Sequence, residues 1–388
     1  MRRFFIPALI SIAFLATLTF QSFAAHFIDG QSDFRSFYAA GYILRTGNSS
    51  RLYDYDFQHE IQEKTVGGDL ILPFLHPPHE AALFVPFSFL SYRAAYTLFA
   101  LLNVGLLVLS YRLIGPTIHA SVHEWLPLAM FATFLPVAAT LLEGQDSIIF
   151  LTLLSLATLY LDRNDLLAGV LVGLCSFRFQ LALPIVFLFF LWKRWRFVAG
   201  FSIAGLLSFL ASLAIVGWNG IRQYLSTLMA ISIQLDSHRQ MVRLGVYPVG
   251  MANIRGFSYG LFRNLPSTSL LVVTAALSVA VIVVAAKSAH HTIAVAITAA
   301  ILVSYHSMNH DLVLLLIPIS VALNSANRAV KFCGLLALMA PFIFILALRY
   351  QYLTSIPILA LLMAASGPWA LAPTGVNASS TETEKIPT

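Results

Sequence analysis

Five short clusters of polar and ionisable residues interrupt a chain that is otherwise apolar: 29–35, 76–80, 143–146, 253–255 and 306–311. An ionisable side chain at the centre of a bilayer costs about 2.5–3.5 kcal/mol on insertion scales, so each cluster is a candidate functional site by default. Asp33 lies just after the first apolar stretch. A carboxylate there, in reach of a hydroxyl, can serve as a general base, or it can simply cap a helix starting at Phe34. His76-Pro77-Pro78-His79-Glu80 sets two histidines on a stiff diproline, suited to an anionic headgroup, to a metal or only to interfacial polarity. No third ligand stands at clear metal spacing. Glu143-Gly144-Gln145-Asp146 tops an apolar run, where acidic groups favour the N-terminal dipole of the next helix. That accounts for Asp146 better than for Glu143 or Gln145. Arg178, between Phe177 and Phe179, needs an anionic partner: a phosphate, which suits a planar bidentate fork, or a structural carboxylate. His306 and His310 share a face if their segment is helical. With Asp311 they suit a phosphate, a sugar hydroxyl or zinc, and a lone interfacial histidine can be a mere anchor.

The elements that must carry these residues are membrane helices. Hydrophobic residues make up 59% of the chain and charged residues 10%, against roughly 25% charged in soluble domains. Mean hydropathy is +0.81. The net charge of +6 reads as positive-inside bias with some basic luminal groups, not as a nucleic-acid footprint. Cys175 and Cys333 lie far apart in apolar stretches, as small buried hydrophobes with no disulfide, zinc or redox pattern.

Arg2 and Arg3 set the start of the chain in the cytoplasm, and the apolar run at 4–25 is long enough to be a retained span rather than a signal peptide. A long outer segment at about 26–90 follows, with short amphipathic helices expected at 34–44 and 56–63 on the membrane surface. Further spans are expected at about 92–112, 124–142, 147–161, 197–217, 268–286, 290–304, 312–324, 331–348 and 352–368. The run from 166 to 192 is too short for two ordinary spans and is broken at Arg178, which implies two short helices of re-entrant type. The expected architecture is all-α and polytopic, with about 10–12 transmembrane or re-entrant helices. It forms a single integral membrane domain over 1–370, with outer loops at about 26–90 and 218–266 and a disordered tail at 371–388. This threading sets all five clusters on one side of the membrane.

The order of motifs resembles bacterial glycosyltransferase family 87. The resemblance rests on Asp33-Phe34-Arg35-Ser36-Phe37-Tyr38-Ala39-Ala40-Gly41, Leu52-Tyr53-Asp54, His76-Pro77-Pro78, Glu143-Gly144-Gln145, Ala168-Gly169 with Gly173-Leu174 and a basic residue after them, Asn253-x-Arg255-Gly256, and Ser304-Tyr305-His306 with His310-Asp311. It covers about residues 30–320. Each motif alone is unspecific; their order carries the likeness. One departure is Arg178-Phe179-Gln180, where many members have Lys-Pro-Gln.

The resemblance implies a GT-C architecture with its site at the extracytoplasmic face of the cell's inner (plasma) membrane. It implies a polyprenyl-phosphate sugar donor, commonly mannose, a lipid or glycan acceptor and inversion at the anomeric carbon. The expected general base of the first outer loop falls on Asp33. Charge on the departing phosphate is assigned to Arg255, His306, His310 and Arg178, and sugar or acceptor contacts to His76, His79, Glu143, Gln145, Asp146 and Asn253. No cofactor and no metal are expected, since the lipid-phosphate sugar is a substrate, although a divalent ion stays open. The rival reading is a transporter or flippase of a lipid-linked glycan, for which a broken apolar segment such as 166–192 is a signature. Clusters gathered at one face, with no inverted repeat, argue against it.

Overall fold

The computed structural model describes residues 26–68, 70–118, 126–233, 247–290, 292–346 and 348–367. The expected span at 4–25 and the tail at 371–388 lie outside the described residues. The described chain is all-α. It begins with α1 (Phe34–Arg45), α2 (Tyr55–Thr65), α3 (Pro78–Leu83) and the long α4 (Tyr92–Ile118). There follow α5 (Leu126–Thr133), α6 (Leu135–Glu143), α7 (Ser147–Tyr160), α8 (Asp165–Gly173), α9 (Phe179–Leu191) and α10 (Trp195–Ile233). The last group is α11 (Ile254–Leu261), α12 (Ser267–Ala286), α13 (Ile293–Val303), α14 (Leu316–Asn324), α15 (Arg328–Met339), α16 (Ile343–Leu346) and α17 (Ser355–Ser366).

Among the described residues, four stretches are long and apolar enough to cross a membrane: Tyr92–Gly115, Asp165–Leu191, Trp195–Met229 and Ser267–Ala286. Shorter apolar helices fill the centre of the bundle, and α13 has ten of its eleven residues buried. A helix apolar all round is stable only when protein or lipid covers every face.

Several expected boundaries move for identifiable reasons. The span expected at 124–142 is two helices, because the extended Phe134 precedes Pro136, whose nitrogen cannot donate in a continuous helix. The loop expected at 218–266 begins as helix, since α10 runs on to Ile233 past a break at Gly217 (φ 66°). The break falls at Arg178 as expected, where a 3-10 turn, Leu174–Arg178, joins α8 to α9, but Asp165–Leu191 taken whole is long and apolar enough for one crossing. A second 3-10 turn, Asn309–Leu315, leads into α14.

The helix at α1 does not lie on a lipid surface. Nine of its twelve residues are buried. Phe34 stacks on Phe99 at 5.2 Å between ring centroids and meets Phe84, Phe87, Tyr92 and Tyr96 edge-on or tilted. Such a fully buried ring contributes about 3 kcal/mol or less by area. Arg35, also buried, donates to Gly30 O at 2.9 Å and to Gln62 Oε1 at 3.1 Å, tying the start of α1 to α2. The first loop is thus a folded, protein-covered unit clamped on the start of α4.

Candidate active site

Asp33 occupies the position before α1, but its side chain makes no capping hydrogen bond. Its Oδ2 instead accepts a hydrogen bond from Gln145 Nε2, across 112 residues of sequence. The capping alternative is therefore not what this carboxylate does. Gly144 makes the approach possible. It closes α6 in the left-handed region (φ 63°), and a Cβ there would sit 2.6 Å from Phe34 Cβ. Tyr96 Oη donates to Leu142 O at 2.7 Å and holds the end of α6 against α4, where Phe34 is already packed.

Gln145 is oriented by what lies on its other side. Arg178 donates from Nη2 to Gln145 Oε1. A guanidinium only donates, so the amide oxygen must face Arg178 and the NH2 must face Asp33. Arg178 also donates from Nε to Asp146 Oδ1 at 2.7 Å and from Nη1 to Asp311 Oδ1 at 2.8 Å. Its expected anionic partner is thus a pair of structural carboxylates in this structure, one guanidinium shared between two. The close packing of α8 on α10 sets where Arg178 enters. A Cβ at Gly169 would lie 2.0 Å from Phe197 O, and one at Gly200 2.0 Å from Leu166 O. Asp146 stands before α7 without capping it and spends its Oδ1 on Arg178, so the dipole reading of Asp146 misses its main bond.

His310 Nδ1 meets Glu143 Oε2 at 2.6 Å, and Thr140 Oγ1 donates to the His310 carbonyl at 3.1 Å. Asp33, Glu143 and His310 bring one donor atom each within 4.8 Å of one another. Burial, and after it the negative charge of Glu143, push the Asp33 carboxyl up from 3.8 to about 6, against the opposing pull of His310, the Gln145 hydrogen bond and Arg178. At neutral pH Asp33 remains ionised and is a stronger base than an ordinary carboxylate.

These groups open on a cavity of about 590 Å³. Of the residues singled out in the sequence, Asp33, His76, Glu143, Gln145, Arg178, His306 and His310 line it. His306 and His310 do not share a helical face, because residues 304–308 are not helical, yet both reach the cavity. Burial holds the His306 imidazole down at about 4, so at neutral pH it offers an N–H and not a charge. Four of the residues assigned to donor, sugar or acceptor do not line the cavity. His79 turns to Ser212 Oγ, 2.9 Å from its Nδ1. Asp146 lies behind Arg178. Asn253 caps α11 through Gly256 N at 2.8 Å and donates to Ser304 O at 2.7 Å. Arg255 donates from Nη1 to Tyr305 O at 2.9 Å, bracing a cavity residue from behind.

Sequence reasoning missed Tyr305, Gln180, Ser32 and Ser36 in the wall. Tyr305 and Gln180 sit inside motifs already singled out, and their signal was proximity to His306 and Arg178. Ser36 likewise sits inside the Asp33–Gly41 motif, while Ser32 precedes it with no distinguishing pattern.

A family model described as glycosyltransferase family 87 matches residues 74–318, well over half of the chain. The match takes in His76, Glu143, Gln145, Arg178, Arg255, His306 and His310, and it begins after Asp33. No curated protein matches the chain, and no solved structure does.

Proposed function

This chain belongs to glycosyltransferase family 87, and from that premise we propose that it moves a sugar, mannose first among the candidates, from a polyprenyl-phosphate donor to an acceptor hydroxyl at the extracytoplasmic face, with inversion and with Asp33 as general base. One observation carries the reading. Asp33 is held by the Arg178–Gln145 chain of hydrogen bonds at the wall of a cavity that also presents His306 and His310.

In the proposed step, Asp33 takes the proton of the acceptor hydroxyl as its oxygen forms a bond to the anomeric carbon. The bond from that carbon to the phosphate oxygen breaks on the opposite face, and the lipid phosphate leaves with the electron pair. Gln145 fixes one carboxylate oxygen, while no hydrogen bond to the other is made among the described residues. Burial, and after it the charge of Glu143, keep the base strong. The departing phosphate is assigned to the wall of Tyr305 and His306, whose O–H and N–H groups can meet developing charge, with Arg255 behind Tyr305; His310, expected on the phosphate, stands beside Asp33 with its ring nitrogens engaged by Glu143 and Arg178. Arg178 is already committed to Asp146, Asp311, Gln145 and His310 Nε2, so its part in this scheme is to orient Gln145. A lipid-linked donor fits a protein whose helices are long and apolar enough to cross a membrane.

The test is incubation of purified protein with radiolabelled polyprenyl-phosphate mannose and a membrane lipid extract. A new glycosylated product, absent with Asp33→Asn, supports the proposal. No product with any lipid-linked sugar, or equal product from Asp33→Asn, refutes it. Sidedness is tested with single cysteines at the exposed Gln31 or the partly exposed Asn309, in a background lacking Cys175 and Cys333. They should react with impermeant thiol reagents in intact spheroplasts, and labelling only after lysis would reverse the orientation.

A further inference from the structure

Beside the cavity, three side chains from two distant parts of the chain meet in a second cluster. His76, Glu80 on the first turn of α3 and Asp146 at the head of α7 bring one donor atom each within 4.8 Å of one another. Glu80 is 0% exposed and Asp146 1%. With both groups as carboxylates, neither oxygen of Glu80 has a hydrogen-bond partner among the described residues, nor has Asp146 Oδ2, and only a proton on one of the two would let them bond to each other. His76 Nδ1 stands 2.8 Å from Glu80 Oε2 without completing a hydrogen bond.

Charge makes the arrangement more unusual. The adjacent Arg178 is divided between Asp146 and Asp311, so a single cation already faces two carboxylates and no ion pair with a lysine or arginine reaches Glu80 among the described residues. Burying a carboxyl with its oxygens unmatched is strongly unfavourable unless something positive or donating sits between them. An imidazole nitrogen and one oxygen from each of two buried carboxyls, within 4.8 Å of one another and short of positive charge, are a donor set for a divalent cation.

We propose that His76, Glu80 and Asp146 bind one divalent metal ion. One imidazole with two carboxylates is a borderline-to-hard set, which suits Mn²⁺ or Zn²⁺ better than a soft ion. The ion would join the first loop, through His76 and α3, to the turn that carries Gln145, the residue next to Asp146. Asp146 Oδ1 would stay on Arg178 while Oδ2 takes the metal, so the ion would stiffen the frame on which Gln145 holds Asp33. The site makes no use of a sugar donor, and its occupancy can be read without any transfer assay. Its failure and the failure of the glycosyl-transfer reading are therefore distinguishable.

The test uses the full-length protein in detergent, stripped with EDTA, desalted, and then titrated separately with Mn²⁺ and Zn²⁺. Bound metal per chain is read by mass spectrometry of the elements, the melting temperature by intrinsic fluorescence, and Mn²⁺ also by its paramagnetic resonance. The expected result is about one equivalent retained and a higher melting temperature, with affinity lowered at least about tenfold in Glu80→Gln and His76→Gln. If Glu80→Gln does not fold, the stoichiometry of the wild type and the His76→Gln titration decide. The proposal is overturned if neither ion is retained nor shifts the wild-type melt, in which case a proton shared by Glu80 and Asp146 fills the gap. It is equally overturned if binding survives Glu80→Gln and His76→Gln unchanged but is lost in Glu143→Gln, which would move the ion to the Asp33–Glu143–His310 group.

Discussion

Replacing Asp33 by Asn should abolish transfer and at the same time stabilise the fold. The carboxyl is raised from 3.8 to about 6, chiefly by burial and then by Glu143. At neutral pH, keeping it ionised costs on the order of 3 kcal/mol at 1.36 kcal/mol for each tenfold step. Asp33 is only half-buried by surface, so solvent screening reduces the figure to about 1–2 kcal/mol. The sign follows from linkage. With a folded value above the unfolded one, the wild type is best off below about pH 4 and loses stability as pH rises through about 6. Asparagine does not ionise, and its side-chain oxygen can still accept from Gln145 Nε2. The two proteins should therefore melt alike at pH 4 and differ at pH 7, with the variant higher by a few degrees. Transfer should fall by about 10²–10⁴ through loss of the base. Melting curves in detergent at the two pH values, alongside single-turnover rates at saturating donor, check both halves. A variant that melts lower than wild type at pH 7 would refute the electrostatic reasoning, and one that transfers at the normal rate would refute the base.

Three further outcomes follow from the same geometry. The rate should rise with pH through about 6, where Asp33 loses its proton, and Glu143→Gln should move that midpoint downward, since it removes the like charge that helps raise it; an unmoved midpoint would assign the titration to another group. Gly144→Ala should cost about 1–3 kcal/mol, because a positive-φ position gains a Cβ 2.6 Å from Phe34 Cβ, and it should slow transfer by pulling Gln145 from Asp33; wild-type melting and rate together would contradict the claim that this turn sets the site. Arg255→Ala should reduce single-turnover rate by about 10²-fold through displacement of Tyr305, with Arg255→Lys recovering part of it, whereas early melting with normal turnover per folded molecule would make Arg255 purely structural.

Much of this molecule was legible in residue order alone. The apolar composition marks a polytopic helical protein, because an unpaired backbone is intolerable in a bilayer and helices pair their own. The break at Arg178 and the helices at α1 and α2 followed from periodicity, proline placement and the cost of polar residues in apolar sequence; which clusters share a cavity did not, and Asn253 and Arg255 stay outside it. Local pattern could not say with whom each polar group pairs. Arg178 needed an anion, and the sequence left phosphate and carboxylate open. Asp146 and Asp311, 32 and 133 residues away, answer it in this structure. Asp33 sat where a helix cap sits, yet its carboxylate turns to Gln145, 112 residues on, because Gly144 lets α1 approach closely enough. Asn253 and His79, equally conspicuous as letters, face Ser304 and Ser212 instead of the cavity. Secondary structure and burial cost are properties of neighbouring residues and their solvent, so the sequence determines them. Hydrogen-bond partners are chosen by distance and direction in the packed bundle, and only the tertiary structure brings those into being.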